Sequence, residues 1–254
     1  CSFRWFAERI LKLKPVDEME LALDPATRGT LYHKALEIAV ARAMGAADIR
    51  AATLEYIDEA FAEAEAHPEV KLPNVPNWEA ERADQIQDLK KAIRAADFIA
   101  PGSRVVGVEV GFDTVHEGLR FTGSIDRVDD STDGLIAVDY KTSSSKPLGA
   151  KGRDGKLDVD VQIPLYANAA LKALYPNGDY GDSAYYSLTK GKILRTEKEG
   201  DIDKLNDLID DVKTMLSDGA FAVDPDVSER VCKYCELGAV CRKGPRLRRK
   251  SRQR

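Results

Sequence analysis

The chain has 254 residues, of which 43% are hydrophobic and 32% are charged, and its formal net charge is −5. This composition is typical of a soluble globular protein with one or two domains, and an acidic balance does not indicate a nucleic-acid binder. No apolar run approaches the ~20 residues that span a bilayer, so we expect no membrane partner.

The predicted elements fall into three successive parts. Apolar spacing predicts a helical part over residues 1–100, with helices at 2–14, 31–44, 48–66 and 78–99. Alternating apolar residues then predict an antiparallel meander of strands at 104–112, 119–129 and 135–142. The rest of the predicted elements are a helix at 160–175, strands at 183–188 and 192–197, and a helix at 201–216.

We predict one domain over residues 1–241, with a catalytic part at 101–197 and a helix and cysteine segment at 198–241. Residues 242–254 contain eight basic residues and no acid, whereas the remaining chain has 30 basic and 43 acidic residues, a formal charge of −13. We expect this tail to be disordered and either to follow DNA or to be merely solvated. Because the chain begins at Cys1 rather than Met, we also expect a fragment of a longer protein.

The meander carries two carboxylates and a lysine that we expect on one polar face. Side chains alternate along a strand, so Asp139 and Lys141 point the same way, and Asp126 on the preceding strand can approach them. Two close carboxylates repel unless a cation lies between them, and oxygen ligands suit Mg²⁺ or Mn²⁺. The alternative, a solvent-facing strand with an ordinary salt bridge, stays open.

The sequence gives only weak signals that further polar residues belong to this site. His33 is a candidate imidazole ligand or an ordinary helix histidine. Gln162 and Tyr166, four residues apart, share a helix face and can hold Lys141 or simply pack. Glu109 supports the metal or faces water. A basic loop is expected to contact a DNA backbone or to be solvated; its residues are Lys146, Lys151, Arg153 and Lys156.

The four cysteines lie at the two ends of the chain. Cys232, Cys235 and Cys241 are spaced as metal ligands, and Cys1 is the other thiolate. Four cysteines suit Zn²⁺ or an iron–sulfur cluster, with two disulfides as a third option. A site joining Cys1 to Cys232 would close almost the whole chain into one loop and constrain the unfolded state.

Taken together, these segments resemble the RecB-like branch of the PD-(D/E)xK nucleases. The matching pieces stand in family order at residues 29–33, 123–127 and 138–142, followed by Gln162 with Tyr166 and the one-plus-three cysteines. The cysteine pattern is similar to that of the iron-staple members, most of all the C-terminal nuclease domain of AddB. The chain has Asp-Tyr-Lys at 139–141 where many relatives have Glu-x-Lys.

The resemblance implies a fold and a set of site residues. The fold would be an α/β restriction-endonuclease-like core, a mixed central β-sheet flanked by helices and closed by a C-terminal four-cysteine cluster. The implied metal ligands are His33, Asp126, Asp139 and the Tyr140 carbonyl. The implied catalytic residues are Asp126, Asp139, Lys141, Gln162 and Tyr166. A [4Fe–4S] cluster would bind Cys1, Cys232, Cys235 and Cys241, with Zn²⁺ as the alternative.

The implied activity is a Mg²⁺- or Mn²⁺-dependent deoxyribonuclease acting on single-stranded ends, exonucleolytically, in DNA end processing or double-strand-break repair. We expect a cytoplasmic protein with DNA as its partner. Since the chain has no phosphate-binding motif of a helicase, any motor would belong to a separate helicase domain or subunit. The alternatives are a standalone CRISPR-adaptation-type nuclease and a catalytically silent DNA-binding or interaction module.

Overall fold

A computed structural model describes residues 2–13, 23–73, 75–223, 231–232, 235–238 and 240–241. Cys1 and the basic tail at residues 242–254 lie outside the described residues. The first helical elements are α1 (Ser2–Trp5), which continues as a π-helical segment (Phe6–Ile10), α2 (Pro25–Ala43), α3 (Ile49–Glu65) and α4 (Trp78–Arg94). A 3₁₀ turn (Ala96–Phe98) leads to the sheet.

Helix α2 begins earlier than the apolar pattern predicts. Asp24 caps it, because its carboxylate accepts hydrogen bonds from the backbone N–H groups of Ala26 (2.8 Å) and Thr27 (3.0 Å). Pro25 occupies the first turn, where its missing N–H costs nothing. Gly29 therefore lies inside the helix rather than in a break before it, and the cap fixes the start of the helix that carries His33.

The predicted antiparallel meander is present. It consists of β1 (Arg104–His116), β2 (Leu119–Ser131) and β3 (Gly134–Lys141), each paired with the next in antiparallel register. Two further strands, β6 (Ala184–Ser187) and β7 (Lys192–Thr196), complete a five-stranded sheet in the order β1-β2-β3-β6-β7. Because β6 runs parallel to β3, the sheet is mixed, and the connection between them crosses one face.

The crossover contains a short hairpin and a helical run. Residues 146–158, expected as a plain loop, include β4 (Ala150–Lys151) and β5 (Leu157–Val159). The helical run consists of α5 (Gln162–Leu165), a π-helical segment (Tyr166–Ala170) and α6 (Leu171–Leu174). After β7, α7 (Asp201–Asp218) ends at Gly219, whose positive φ of 63° suits a helix C-terminus.

Helices cover both faces of the sheet. Helices α2, α3 and α4 pack on the face to which Val138, Tyr140 and Tyr186 point. The helical run at residues 162–174 and α7 pack on the opposite face, around Val128 and Ala137. This is the mixed sheet flanked by helices that was predicted. In the described part of the chain, no helix combines the length and apolar character needed to cross a membrane.

Candidate active site

The last residues of β3 supply the centre of the site. Asp139 and Lys141 share the face covered by the helical run, whereas Tyr140 points into the opposite core. Asp139 is only 1% exposed. Asp139 Oδ2 forms an ion pair with Lys141 Nζ at 2.5 Å. The same oxygen receives no well-aligned hydrogen bond from the described residues. A buried carboxylate oxygen with an incomplete set of partners suits a cation ligand.

Asp126 and His33 approach the same end of β3 from two sides. The Asp126 carboxylate, on β2, accepts the backbone N–H of Tyr140 at 2.7 Å. His33 Nδ1 lies 3.3 Å from the same carboxylate oxygen. The other imidazole nitrogen, Nε2, lies 3.0 Å from the Tyr140 carbonyl oxygen. The structure therefore brings together all four groups that were predicted as metal ligands.

The electrostatics of the site are those of crowded, buried carboxylates. Burial, reinforced by the charge of Asp126, raises the pKa of Asp139 to about 7, and the charge of Lys141 opposes this only in part. Burial by itself would lower the pKa of His33, but the hydrogen bond and charge of Asp126 more than offset it, so this pKa is raised. The protein alone thus favours protons on these groups, and a cation would replace them.

Glu109 is a member of the site that the sequence pattern left undecided. Its carboxylate, the His33 imidazole and the Asp126 carboxylate offer ligand atoms that all lie within 4.8 Å of one another. Ser124 Oγ donates a hydrogen bond to Glu109 at 2.7 Å. The backbone of Glu109 is left-handed, with φ 46° in the middle of β1. No sequence signal predicts such a conformation at a non-glycine residue, and it is of the strained kind found at functional sites.

Gln162 and Tyr166 link the helical run to the site. Lys141 Nζ donates to Gln162 Oε1 at 3.0 Å, and Gln162 Nε2 donates to the Tyr166 hydroxyl at 2.8 Å. The Tyr166 hydroxyl donates in turn to the Ser124 carbonyl at 2.9 Å. Tyr166 begins the π-helical segment, in which the Leu171 N–H bonds to the Tyr166 carbonyl; such segments occur often at functional sites.

An open cavity of about 410 Å³ adjoins this cluster. Its lining comes mainly from the first turns of α2 and includes Gly29, Thr30, His33, Glu37, Glu69 and Glu109. Lys34, also in the lining, forms ion pairs with Glu37 and Glu69. The cavity therefore gives solvent and a ligand access to the His33 and Glu109 side of the site.

The basic loop of the crossover is held by acids. Arg153 pairs with Asp207 (2.6 Å) and Asp211 (3.1 Å) on α7, and Lys156 pairs with Asp154 (2.7 Å). These contacts neutralise two of the four cations that were expected to meet a DNA backbone. They line a separate cavity of about 210 Å³ that shares no residue with the site above. The sequence could not reveal the pairing of Arg153 because Asp207 and Asp211 lie more than 50 positions away.

The two ends of the domain lie together. Ser2 Oγ donates a hydrogen bond to the Ala222 carbonyl at 3.0 Å, and the rings of Trp5 and Phe6 stack on Phe221 with centroids 5.8 and 5.0 Å away. Cys232, Cys235 and Cys241 are described, and the Cys235 N–H bonds to the Cys232 carbonyl at 3.3 Å. The fourth predicted ligand, Cys1, lies outside the described residues, so the four-cysteine set stays a prediction.

Comparison with known families decides the assignment of the fold. A family model of the PD-(D/E)XK nuclease superfamily matches residues 1–242. The chain belongs to this superfamily. Members of the PD-(D/E)XK superfamily are typically nucleases, which are hydrolases. A comparison with curated proteins gives no match.

The residues of this PD-(D/E)XK site fit a divalent metal ion. Carboxylate oxygens and an imidazole nitrogen converge within 4.8 Å, and the Asp139 oxygen beside them is buried with an incomplete hydrogen-bond set. Hard oxygen donors of this kind suit Mg²⁺ and Mn²⁺. The donor chemistry thus agrees with the family, in which such sites hold divalent ions.

Proposed function

We propose that this chain is a Mg²⁺- or Mn²⁺-dependent deoxyribonuclease. The observation that carries the proposal is the convergence of His33, Asp126 and Asp139 with a half-buried lysine, Lys141, at one end of β3. A divalent cation in such a site supplies Lewis-acid stabilisation of charge on the phosphate and activation of water. A binding module with no catalysis would not need to hold a lysine against a buried carboxylate.

The chain's own residues have separable roles in this proposal. His33, Glu109, Asp126 and Asp139 would hold the cation, together with the Tyr140 carbonyl. Lys141 carries a positive charge that can stabilise the developing charge on the phosphate. Gln162 fixes the direction of the Lys141 side chain, and Tyr166 fixes Gln162 by tying it to the Ser124 carbonyl.

A cleavage assay on end-labelled single- and double-stranded DNA, with and without Mg²⁺ or Mn²⁺, tests this function. Lys141→Ala should lower the cleavage rate at least about a hundredfold, because one charge-stabilising group is commonly worth that much. Lys91→Ala, at an exposed lysine on α4, should cleave like the parent chain. Metal-independent cleavage, or a Lys141→Ala chain with full activity, would contradict the proposal.

We further propose that the enzyme works exonucleolytically on single-stranded ends in DNA end processing or double-strand-break repair. The motif order shared with the RecB-like branch, and with AddB most of all, supports this narrower role and a cytoplasmic location. It also supports a helicase domain or subunit as partner. Degradation of a strand labelled at either end, followed over time, distinguishes exonuclease from endonuclease cleavage and gives the polarity.

We also propose a [4Fe–4S] cluster at Cys1, Cys232, Cys235 and Cys241. The support is the hydrogen bond from Ser2 to Ala222. Ser2 directly follows Cys1, and Ala222 precedes Cys232 by ten positions in the sequence. Anaerobic purification should give a brown protein with about four irons per chain, and Cys241→Ser should lose the iron. A colourless protein with one zinc per chain would refute the cluster in favour of Zn²⁺.

A further inference from the structure

Tyr185 lies directly beneath the lysine of the site. Strand β6 pairs in parallel with β3, and Tyr185 is the register partner of Asp139, so its ring lies on the face that carries Asp139 and Lys141. Lys141 Nζ stands 5.1 Å from the centre of the Tyr185 ring. An ammonium group at this distance over an aromatic face is held by a cation–π interaction.

The hydroxyl of Tyr185 is anchored to a buried carboxylate. It donates to Asp160 Oδ1 at 2.8 Å, and both residues are less than 9% exposed. Burial, followed by the charge of Asp160, raises the pKa of Tyr185 far above its usual value, so the hydroxyl stays a donor. Arg195, whose side chain is 9% exposed, lies 3.2 Å from the other oxygen of Asp160 and also pairs with Asp201.

Asp160 also holds the start of the helical run that carries Gln162. The same oxygen that accepts from Tyr185 accepts the backbone N–H groups of Gln162 (3.1 Å) and Ile163 (3.3 Å). These are the free donors of a helix N-terminus. The Gln162 side chain then returns to Lys141, whose Nζ donates to it at 3.0 Å. The contacts form a closed ring: Lys141, Tyr185, Asp160, Gln162 and back to Lys141.

We propose that Tyr185 is a positioning residue for Lys141, with its ring supporting the ammonium group and its hydroxyl locking the ring to Asp160. The role of Lys141 in cleavage rests on the proposed function, but the positioning itself does not. A side chain with four or more rotatable bonds otherwise samples many rotamers. Contacts from Asp139, Gln162 and Tyr185 on three sides select one of them.

The adjacent residue provides a matched control. Tyr186 is also fully buried and its hydroxyl also donates a hydrogen bond, to the Ala92 carbonyl at 2.6 Å. It points to the opposite face of β6, toward α4, and not toward Lys141. Tyr186→Phe therefore removes a buried tyrosine hydroxyl of the same strand without touching the ring of contacts around the lysine.

The first experiment measures positioning without using activity. Urea unfolding of the parent chain, Lys141→Met, Tyr185→Leu and the double variant gives a double-mutant cycle. We expect a coupling of about threefold or more in the unfolding equilibrium constant, the size of a cation–π contact. Lys141→Met and Tyr186→Phe should instead be additive. An additive Lys141/Tyr185 cycle would overturn the proposal, whether or not the chain cleaves DNA.

The second experiment measures the consequence for cleavage. With Mg²⁺ saturating and the DNA concentration varied, Tyr185→Leu should lower kcat about tenfold with little change in KM, because the ammonium loses the support of the ring; tenfold corresponds to about 1.4 kcal/mol. Tyr185→Phe keeps the ring and should recover most of kcat, and Tyr186→Phe should match the parent chain. A Tyr185→Phe chain as slow as Tyr185→Leu would overturn the role of the ring.

A volume-conserving series keeps the test valid if Tyr185→Leu does not fold. Phenylalanine and its mono-, di- and trifluorinated analogues at position 185 differ little in size, but fluorine withdraws electron density from the ring face. A progressive fall in kcat with fluorination supports the cation–π contact, and a flat series overturns it. If the parent chain cleaves no DNA, the proposed function fails, and the unfolding cycle alone decides the positioning.

Discussion

Glu109 shows how a single backbone angle changes the chemistry of the site. Glu109 lies between the paired residues Val108 and Val110 with φ 46°, and its carboxylate lies within 4.8 Å of the ligand atoms of His33 and Asp126. A left-handed conformation costs a non-glycine residue roughly 1–2 kcal/mol. The chain accepts this cost at a place where the side chain meets two predicted metal ligands, which is the pattern expected of a functional residue.

We therefore predict that Glu109→Gln weakens metal binding, whereas Glu109→Gly also relieves strain. Both variants remove the carboxylate, so the Mg²⁺ concentration for half-maximal cleavage should rise about tenfold or more, in the range of losses at metal-site supports. Glu109→Gly should be more stable than Glu109→Gln by about 1 kcal/mol, because glycine adopts positive φ freely. Metal titrations of cleavage and urea unfolding without metal measure the two effects.

Glu117 is the control for Glu109. It has nearly the same left-handed backbone, φ 47°, but is exposed in the turn between β1 and β2 and is not part of the site. Glu117→Gly should gain stability relative to Glu117→Gln, as Glu109→Gly does relative to Glu109→Gln, and neither Glu117 variant should alter the Mg²⁺ dependence. An unchanged Mg²⁺ requirement in both Glu109 variants would remove Glu109 from the metal site.

At the scale of elements, a buried arginine joins the sheet to the helical layer. Arg127 on β2 forms a two-point ion pair with Asp129, with both contacts at 2.8 Å, and donates to the Tyr140 hydroxyl (2.8 Å) and the Phe98 carbonyl (2.6 Å). Both charged residues are 1% exposed. The side chain of Tyr140 belongs to this network, whereas its backbone contacts His33 and Asp126. The network therefore holds the end of β3 on the face opposite to Asp139 and Lys141.

Removing one partner of this pair should cost far more than removing both. Arg127→Met leaves a buried, unpaired Asp129 and should lower the free energy of unfolding by about 3–5 kcal/mol. Arg127→Met with Asp129→Leu removes the stranded charge and should recover at least about 1 kcal/mol of this. Urea unfolding measures both. A double variant no more stable than Arg127→Met would contradict the penalty assigned to the unpaired Asp129.

An exposed pair between β1 and β2 provides the comparison. Arg104 lies 2.8 Å from Asp130, with 78% and 35% of their side chains exposed. Arg104→Met should change the free energy of unfolding by less than about 1 kcal/mol, because water replaces the lost partner. If Arg127→Met cost no more than this, the buried network would have no special role at the junction of sheet and helices.

The same scale explains how far the sequence predicts this molecule. Alternation along residues 135–142 predicts the meander and the shared face of Asp139 and Lys141, because a strand has only two faces. The motif order predicts that His33 and Gln162 come to that face. Local pattern does not predict the left-handed Glu109, the π-helical segment at Tyr166 or the pairing of Arg153 with α7. Each of these is decided by contacts between residues distant in sequence, where tertiary packing overrides local preference.

For the whole molecule, the distribution of charge does not favour the binding of DNA outside the metal site. The chain without its basic tail carries −13, and the cavity beside the site is lined by Glu37, Glu69 and Glu109, of which the first two share one cation, Lys34. Arg153 and Lys156, expected to contact DNA, are paired with acids. A polyanionic substrate approaching this surface meets repulsion beyond the metal site itself.

We predict that residues 242–254 supply the missing attraction. Binding is best measured in a Lys141→Ala chain without added divalent metal, so that cleavage does not interfere. Deleting residues 242–254 from it should make the dependence of log affinity on log salt shallower by about 3–5 units, since each phosphate contact with single strands contributes about 0.7. Replacing the eight basic residues by serine at unchanged length should have the same effect, because charge and not length is responsible. Binding isotherms from 50 to 300 mM salt measure the slope. An unchanged slope in both chains would show that the tail is only solvated and does not contact DNA.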